Sequence, residues 1–147
     1  MTQKIIILTI LLAIVTLSLT ACDPKPPVPD PNNDTNYIFG DYTIKEEKTL
    51  PILECTARKL KDKVLVIHAE HCGACKIAVP ILEELEQEMN LEFRYYDMDV
   101  DEDKLALKEF KLVPYFTPTV VIGCEVLIGA KDKDEYQDAL EEFLGNQ

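Results

Sequence analysis

The chain has 147 residues, of which 47% are hydrophobic, 15 are Lys or Arg and 27 are Asp or Glu, and its formal net charge is −12. This length allows one folded domain with short appendages. The acidic balance argues against nucleic acid as a partner and against direct adsorption to anionic lipid, because both require clustered basic side chains.

The first 21 residues have the pattern of an export signal. Lys4 precedes a mostly apolar run over residues 5–17, which is shorter than the about 20 residues of a membrane-spanning helix. The run leads into Leu-Thr-Ala-Cys at residues 19–22, which resembles the lipobox of bacterial lipoproteins. We therefore predict a cleaved signal peptide over residues 1–21 and lipidation of Cys22. The alternatives are an uncleaved anchor and an ordinary secretory signal beside a chance cysteine.

The segment after the predicted cleavage site has the composition of a tether. Residues 22–36 hold five prolines, and Val28 is their only large apolar residue. Such a segment cannot bury a core, so we expect an extended, semi-rigid spacer. Residues 37–147 then form the globular domain, which the lipid would hold at the cell envelope, outside the cytoplasm.

Strand and helix patterns alternate within residues 37–147. Strands are predicted at residues 37–44, 64–67, 91–97, 119–123 and 125–128, and helices at residues 49–60, 73–90, 101–110 and 132–144. Thr49 is the predicted N-cap of the first helix, and Asp132 with Glu135 predicts a capping box for the last. The alternation predicts an α/β fold, with a central mixed sheet that is mostly parallel and has helices on both faces.

A cysteine pair follows the buried strand at residues 64–67, in the run His-Cys-Gly-Ala-Cys-Lys of residues 71–76. Cysteines three apart on a first helical turn can form a disulfide. Cys72 lies where free backbone N–H groups and the helix dipole favour a thiolate, and a protonated His71 would act in the same direction. Cys75 is the candidate resolving thiol of a mixed disulfide.

These residues resemble the thioredoxin family, and the resemblance spans nearly all of residues 37–147. It includes the Cys-Gly-Ala-Cys-Lys motif, Pro80 in the following helix, Tyr-Asp-Met-Asp at residues 96–99 and Thr-Pro-Thr at residues 117–119. It implies a thioredoxin-like fold, a nucleophilic Cys72, a resolving Cys75 and a cis bond before Pro118. It further implies that substrate contacts, including backbone pairing with Thr117, come from a small set of residues: His71, Gly73, Ala74, Thr117 and Pro118.

Three residues and one segment depart from the family pattern. Val66 occupies the position of the family's buried acid, which takes a proton from the resolving thiol. His71 replaces the usual tryptophan, and Ala74 replaces the proline between the cysteines. Residues 110–117 form an approach to the expected cis-proline that is longer than the usual one in the family. These differences leave the direction of electron flow and the substrate rim open.

A metal site is the competing interpretation of the motif, because His68, His71, Cys72 and Cys75 are all ligand types. The four residues lie too close in sequence to converge readily into a tetrahedron, so we predict no metal. The aspartates between residues 97 and 103 lack the glycine and glutamate of a calcium loop, which favours a solvated strand end and helix cap.

Cys55 and Cys124 are the second cysteine pair. The strand order implied by the resemblance puts Cys55 on the first helix and Cys124 in the hairpin turn away from the dithiol, with another helix partly between them. We therefore expect two separate, half-buried thiols, and a structural bridge is the less favoured alternative.

The function predicted is that of a membrane-tethered thiol–disulfide oxidoreductase, with reduction of disulfides in exported proteins as the preferred direction. It needs no cofactor, but a reductase outside the cytoplasm needs electrons from a membrane electron-transfer partner. Disulfide oxidation or isomerisation is one alternative. A non-catalytic binding module is the other, and the valine at the buried-acid position favours it.

Overall fold

The computed structural model describes residues 40–146, which form seven strands and four α-helices. The strands are β1 (Tyr42–Ile44), β2 (Lys48–Thr49), β3 (Val64–His68), β4 (Phe93–Asp97), β5 (Leu112–Pro114), β6 (Thr119–Ile122) and β7 (Glu125–Ile128). The helices are α1 (Ile52–Ala57), α2 (Cys75–Glu88), α3 (Asp101–Leu107) and α4 (Lys133–Gly145), and a 3-10 turn at Lys108–Phe110 follows α3.

Five strands form the central sheet in the order β2-β7-β6-β3-β4. Strand β3 is an interior strand between β6 and β4, antiparallel to β6 and parallel to β4, and the β6–β7 and β2–β7 pairs are antiparallel too. The predicted mixed sheet is therefore confirmed. The expectation that it is mostly parallel is wrong. The β3–β4 pair is parallel, whereas the β3–β6, β6–β7 and β2–β7 pairs are antiparallel.

The two faces of the sheet can be read from the alternation of side chains along β3. Leu65 and Ile67 pack into a cluster with apolar side chains of α1, α3 and the 3-10 turn. Val64 and Val66 pack into a second cluster with side chains of α2 and α4. Helices thus cover both faces, as predicted. Because β3 is packed on both sides, its carboxyl end is a fixed starting point for the loop that follows it.

Two short strands were not predicted, and both affect how the loops are placed. Strand β5 pairs in parallel with β1 in a separate two-stranded sheet, and β2 pairs with β7 at the edge of the central sheet. Neither is long enough to show the alternation of apolar and polar residues by which a strand is recognised. The predicted strand at residues 37–44 is therefore outside the central sheet over its described part.

The ends of the helices agree with the predicted caps in one case and differ in another. The carboxylate of Asp132 accepts a hydrogen bond from the Glu135 N–H at 2.9 Å, so the predicted cap of α4 is confirmed. Thr49 is not the N-cap of α1, because it is paired with Glu125 in β2 and the helix begins after Pro51.

Cys55 and Cys124 form a disulfide, so the expectation of two separate thiols is wrong. Their Cα atoms are 5.3 Å apart, Cys55 is fully buried and Cys124 is half-buried. The pairing of β2 with β7, together with a hydrogen bond of 2.7 Å from the Leu50 N–H to the Cys124 carbonyl, brings the start of α1 over the hairpin turn. The two cysteines therefore meet directly.

A buried cation joins α1 to the β1–β5 pair. The Arg58 side chain forms an ion pair with Glu54 at 2.8 Å and donates to the carbonyl oxygens of Lys111 at 2.7 Å and Gly40 at 3.2 Å. Arg58 is only 4% exposed. Its guanidinium fixes the chain just before β1 and just before β5 against one helix.

The predictions made for residues 1–36, namely the signal peptide, the lipidated Cys22 and the tether, lie outside the described residues. Within residues 40–146, the helices are all too short or too polar to cross a bilayer.

Candidate active site

The cysteine motif lies in a short loop between the interior strand β3 and helix α2. Two hydrogen bonds tie this loop to the segment that follows β4. The His68 carbonyl accepts from the Met98 N–H at 2.8 Å, and the Glu70 N–H donates to the Asp99 carboxylate at 2.9 Å. The loop therefore leaves the sheet in a fixed direction, next to the carboxyl end of a buried strand.

Cys72 and Cys75 are joined in a disulfide, with their Cα atoms 5.2 Å apart. Cys72 is half-buried, whereas Cys75 is only 3% exposed. Helix α2 begins at Cys75, two residues later than predicted, but the Lys76 N–H bonds the Cys72 carbonyl at 3.3 Å and extends the helical pattern backwards. The reachable sulfur thus precedes the helix and the shielded sulfur lies in its first turn.

The surroundings of Cys72 favour negative charge on its sulfur. The Cys75 N–H points at Cys72 Sγ with the nitrogen 3.0 Å from the sulfur. In the reduced protein, the same N–H and the positive end of the 14-residue helix α2 would stabilise a thiolate. The His71 side chain is 88% exposed, and its Nδ1 lies 3.9 Å from the Glu70 carboxylate. This carboxylate would partly offset the charge of a protonated imidazole.

The loop before β6 faces the dithiol, as the resemblance implied. The Thr117–Pro118 peptide bond is cis, and the Thr117 carbonyl oxygen lies 3.3 Å from Cys72 Sγ. The disulfide sulfur has no proton, so this contact becomes a hydrogen bond only when Cys72 is a thiol. The Pro118 carbonyl accepts from the Gly129 N–H at 2.8 Å, which fixes the loop against the end of β7.

The position of the family's buried acid is apolar here. Val66 is fully buried, in the same cluster as Ala78 and Leu82 of α2. Among the buried residues of this cluster, Tyr136 carries a hydroxyl group, which donates to the Gly129 carbonyl at 3.1 Å. Within residues 40–146, the buried polar or charged side chains are Arg58 and Thr119, so no buried carboxylate is present there to accept the proton of Cys75.

The four ligand-type residues of the competing interpretation do not form a metal site among the described residues. Cys72 and Cys75 are bonded to each other, and the ring of His68 packs edge-on against Tyr95 with centroids 6.4 Å apart. Within residues 40–146, no three His, Cys, Asp or Glu side chains are close enough together to hold a metal ion.

The longer segment before Thr117 carries two aromatic side chains that are not among the site residues predicted from the sequence. Tyr115 and Phe116 are 66% and 48% exposed, and Ile77 of α2 is 60% exposed. Two consecutive aromatic residues directly before a Thr-Pro pair were the available signal. Large exposed apolar side chains near a reactive sulfur are candidates for substrate contact.

Comparison with known proteins agrees with the geometry. The family model described as Thioredoxin matches residues 51–144. Thioredoxin of Bacillus subtilis is 33% identical over 79 residues, covering 52% of this chain and 76% of its own length. Thioredoxin of Listeria monocytogenes is 28% identical over 81 residues, covering 52% and 77%.

Among solved structures, Fasciola hepatica thioredoxin is 24% identical with a TM-score of 0.42, over 62% of this chain and 90% of that one. The assignment rests on the family model and the two bacterial relatives. This chain belongs to the thioredoxin family, whose members are thiol–disulfide oxidoreductases.

Proposed function

We propose that this protein is a membrane-tethered protein thiol–disulfide oxidoreductase that reduces disulfides in exported proteins. The observation that carries the proposal is the asymmetry of the dithiol. Cys72 is reachable and receives an N–H at its sulfur, whereas Cys75 is shielded and one bond away. A nucleophile needs access and a stabilised thiolate, and a resolving thiol needs only proximity to the mixed disulfide.

The reaction is a pair of thiol–disulfide exchanges. The Cys72 thiolate attacks one sulfur of a substrate disulfide, and the other substrate sulfur leaves as a thiolate that takes a proton from solvent. Cys75 then loses its proton and attacks Cys72 Sγ, which releases the second substrate thiol and forms the Cys72–Cys75 disulfide. A dithiol of a membrane electron-transfer protein returns two electrons and two protons to the pair.

The second exchange needs a base for the Cys75 proton. Because Val66 is buried among apolar side chains, that proton passes to water or to the departing substrate thiolate rather than to a protein carboxylate. We expect resolution of the mixed disulfide to be slower, and more dependent on pH, than in a protein with an acid at this position.

Residues 1–36 support the location. The predicted signal peptide, lipidated Cys22 and proline-rich tether would keep the domain outside the cytoplasm, where disulfides in substrate proteins persist. Replacing Cys22 by Ser is expected to move the protein from the membrane fraction to the soluble fraction of the envelope. A Cys22→Ser variant that stays with the membrane contradicts lipidation at this residue.

Turnover of insulin disulfides by the full chain in detergent, with dithiothreitol as electron source, tests the enzyme directly. We expect Cys72→Ser to abolish turnover and Cys75→Ser to stop it at a mixed disulfide. Absence of turnover by the unmodified chain would instead support a non-catalytic binding module, which the apolar surroundings of Val66 also favour.

The direction of electron flow is tested by the equilibrium potential of the Cys72–Cys75 pair in glutathione buffers. A potential near that of thioredoxin, about −270 mV, supports a reductase. A value near about −120 mV, which is typical of a strong oxidant, contradicts reduction and favours disulfide formation as the reaction.

A further inference from the structure

We propose that Tyr115 and Phe116 determine substrate specificity by receiving a bulky apolar side chain next to the disulfide of an extended substrate segment. This inference rests on the oxidoreductase function proposed above. The two residues lie between β5 and β6 and lead directly into Thr117 and Pro118.

Tyr115 and Phe116 directly precede the residue that contacts the reacting sulfur. The Thr117 carbonyl oxygen is 3.3 Å from Cys72 Sγ, and Phe116 is the next residue along the chain. A substrate cysteine bonded to Cys72 would therefore lie next to Thr117. The residues beside that cysteine would then be placed near Tyr115 and Phe116, whichever protein supplies them.

Tyr115 and Phe116 also present exposed apolar surface. The rings of Tyr115 and Phe116 pack edge to face with centroids 4.8 Å apart, yet 66% and 48% of these residues remain exposed. Ile77, two residues after Cys75, is 60% exposed. An apolar substrate side chain that covers this surface gains the free energy of removing it from water.

Backbone atoms of Tyr115 and Phe116 fix the loop, so the two rings are not needed to hold it and can contact substrate. The Tyr115 N–H donates to the Ile44 carbonyl at 3.1 Å, and the Thr119 hydroxyl donates to the Phe116 carbonyl at 2.7 Å. Backbone groups thus hold the loop against β1 and β6, while both rings point away from the core. Little conformational entropy remains to be lost when substrate binds.

A positive charge beside Tyr115 limits which substrate side chains can bind there. The Lys45 ammonium lies 5.8 Å from the centre of the Tyr115 ring. A basic substrate side chain at this position would meet a like charge, whereas a neutral apolar one would not. The occupant we infer is therefore a Phe or Leu side chain beside the substrate cysteine, rather than a Lys.

The test uses single-turnover reduction of synthetic peptide disulfides by the pre-reduced full chain in detergent, without added reductant. The peptides differ only in whether Phe, Ser or Lys lies beside the cysteine, and 2-hydroxyethyl disulfide serves as a substrate with no such side chain. The variant is Tyr115→Ser with Phe116→Ser. Leu53→Ser is the control, since Leu53 is 58% exposed and lies on α1, two residues from the distant Cys55–Cys124 bond.

We expect the unmodified chain and the Leu53→Ser control to react about ten- to hundredfold faster with the Phe peptide than with the Lys peptide. The double variant should lose most of this preference and keep its rate with 2-hydroxyethyl disulfide. Equal rates with all peptides, or a preference that survives in the double variant, overturns the inference. Failure of the unmodified chain to reduce any disulfide, including 2-hydroxyethyl disulfide, instead overturns the proposed function.

Discussion

Removal of the Cys55–Cys124 bond is expected to cost more stability than removal of the dithiol bond. The double variant Cys55→Ala/Cys124→Ala opens a loop whose ends are 69 residues apart in sequence. In the chain-entropy description, a cross-link stabilises the fold by restricting the unfolded chain, and the effect grows with loop length. A loop of this size corresponds to about 4 kcal/mol at 25 °C.

The same relation gives a much smaller value for the active-site pair. Cys72 and Cys75 are three residues apart, and their bond restricts the unfolded chain by about 2 kcal/mol. Because Cys55 is fully buried, the alanine variant also loses packing around its sulfur, which adds to the cost in the same direction. The Cys72→Ala/Cys75→Ala variant is therefore the matched control.

Urea unfolding under non-reducing conditions measures both effects, with tyrosine fluorescence or circular dichroism as the signal. We expect the free energy of unfolding to fall by about 4 kcal/mol for Cys55→Ala/Cys124→Ala and by about half as much for the control. A loss below about 1 kcal/mol for the first variant, or equal losses for both, would refute the loop-length reasoning.

Two further predictions concern charged groups. Arg58→Met should lower the free energy of unfolding in urea by about 3 kcal/mol, because Glu54 and the Lys111 carbonyl lose a buried partner; no change would contradict this. Burial and neighbouring carboxylates, including Glu142, raise the pKa of Glu125, so the folded protein binds its proton more tightly than the unfolded chain does. Glu125→Gln should thus raise Tm at pH 7, with a gain that shrinks as the pH falls through the raised pKa; a gain independent of pH would contradict it.

Much of the fold could be predicted because its signals are local. The apolar run at residues 64–67 indicates a strand buried on both faces, and it forms β3, an interior strand of the sheet with helices on either side. Strands β2 and β5 could not be found in this way. Their two or three residues have no periodicity of their own, and they form only because β7 and β1 offer them an edge.

The missed strand β2 explains the wrong prediction for the second cysteine pair. Without β2, nothing in the sequence places the start of α1 over the β6–β7 turn. The sequence then predicts that Cys55 and Cys124 are separated. Disulfide pairing between distant residues depends on such long-range placement, which spacing alone does not contain. The Cys72–Cys75 pair was predictable because three residues of chain already hold the two sulfurs together.

The rim of the candidate site illustrates the same limit. The resemblance to the family assigns Thr117 and Pro118 to the site, and the structure brings Thr117 next to Cys72. The exposure of Tyr115 and Phe116 follows from the pairing of β1 with β5, which fixes the loop through backbone atoms. Without knowledge of that pairing, two aromatic residues are as easily interpreted as part of the core.

The proposed function requires that Cys72 is the activated nucleophile and that Cys75 is its shielded partner. The most direct test is the rate at which iodoacetamide alkylates each cysteine of the reduced protein as a function of pH, resolved by mass spectrometry. We predict that Cys72 reacts first and stays reactive well below about pH 8.5, where an ordinary thiol is mostly protonated, while Cys75 is protected. Faster alkylation of Cys75, or a Cys72 as unreactive at neutral pH as an ordinary thiol, would contradict the claim.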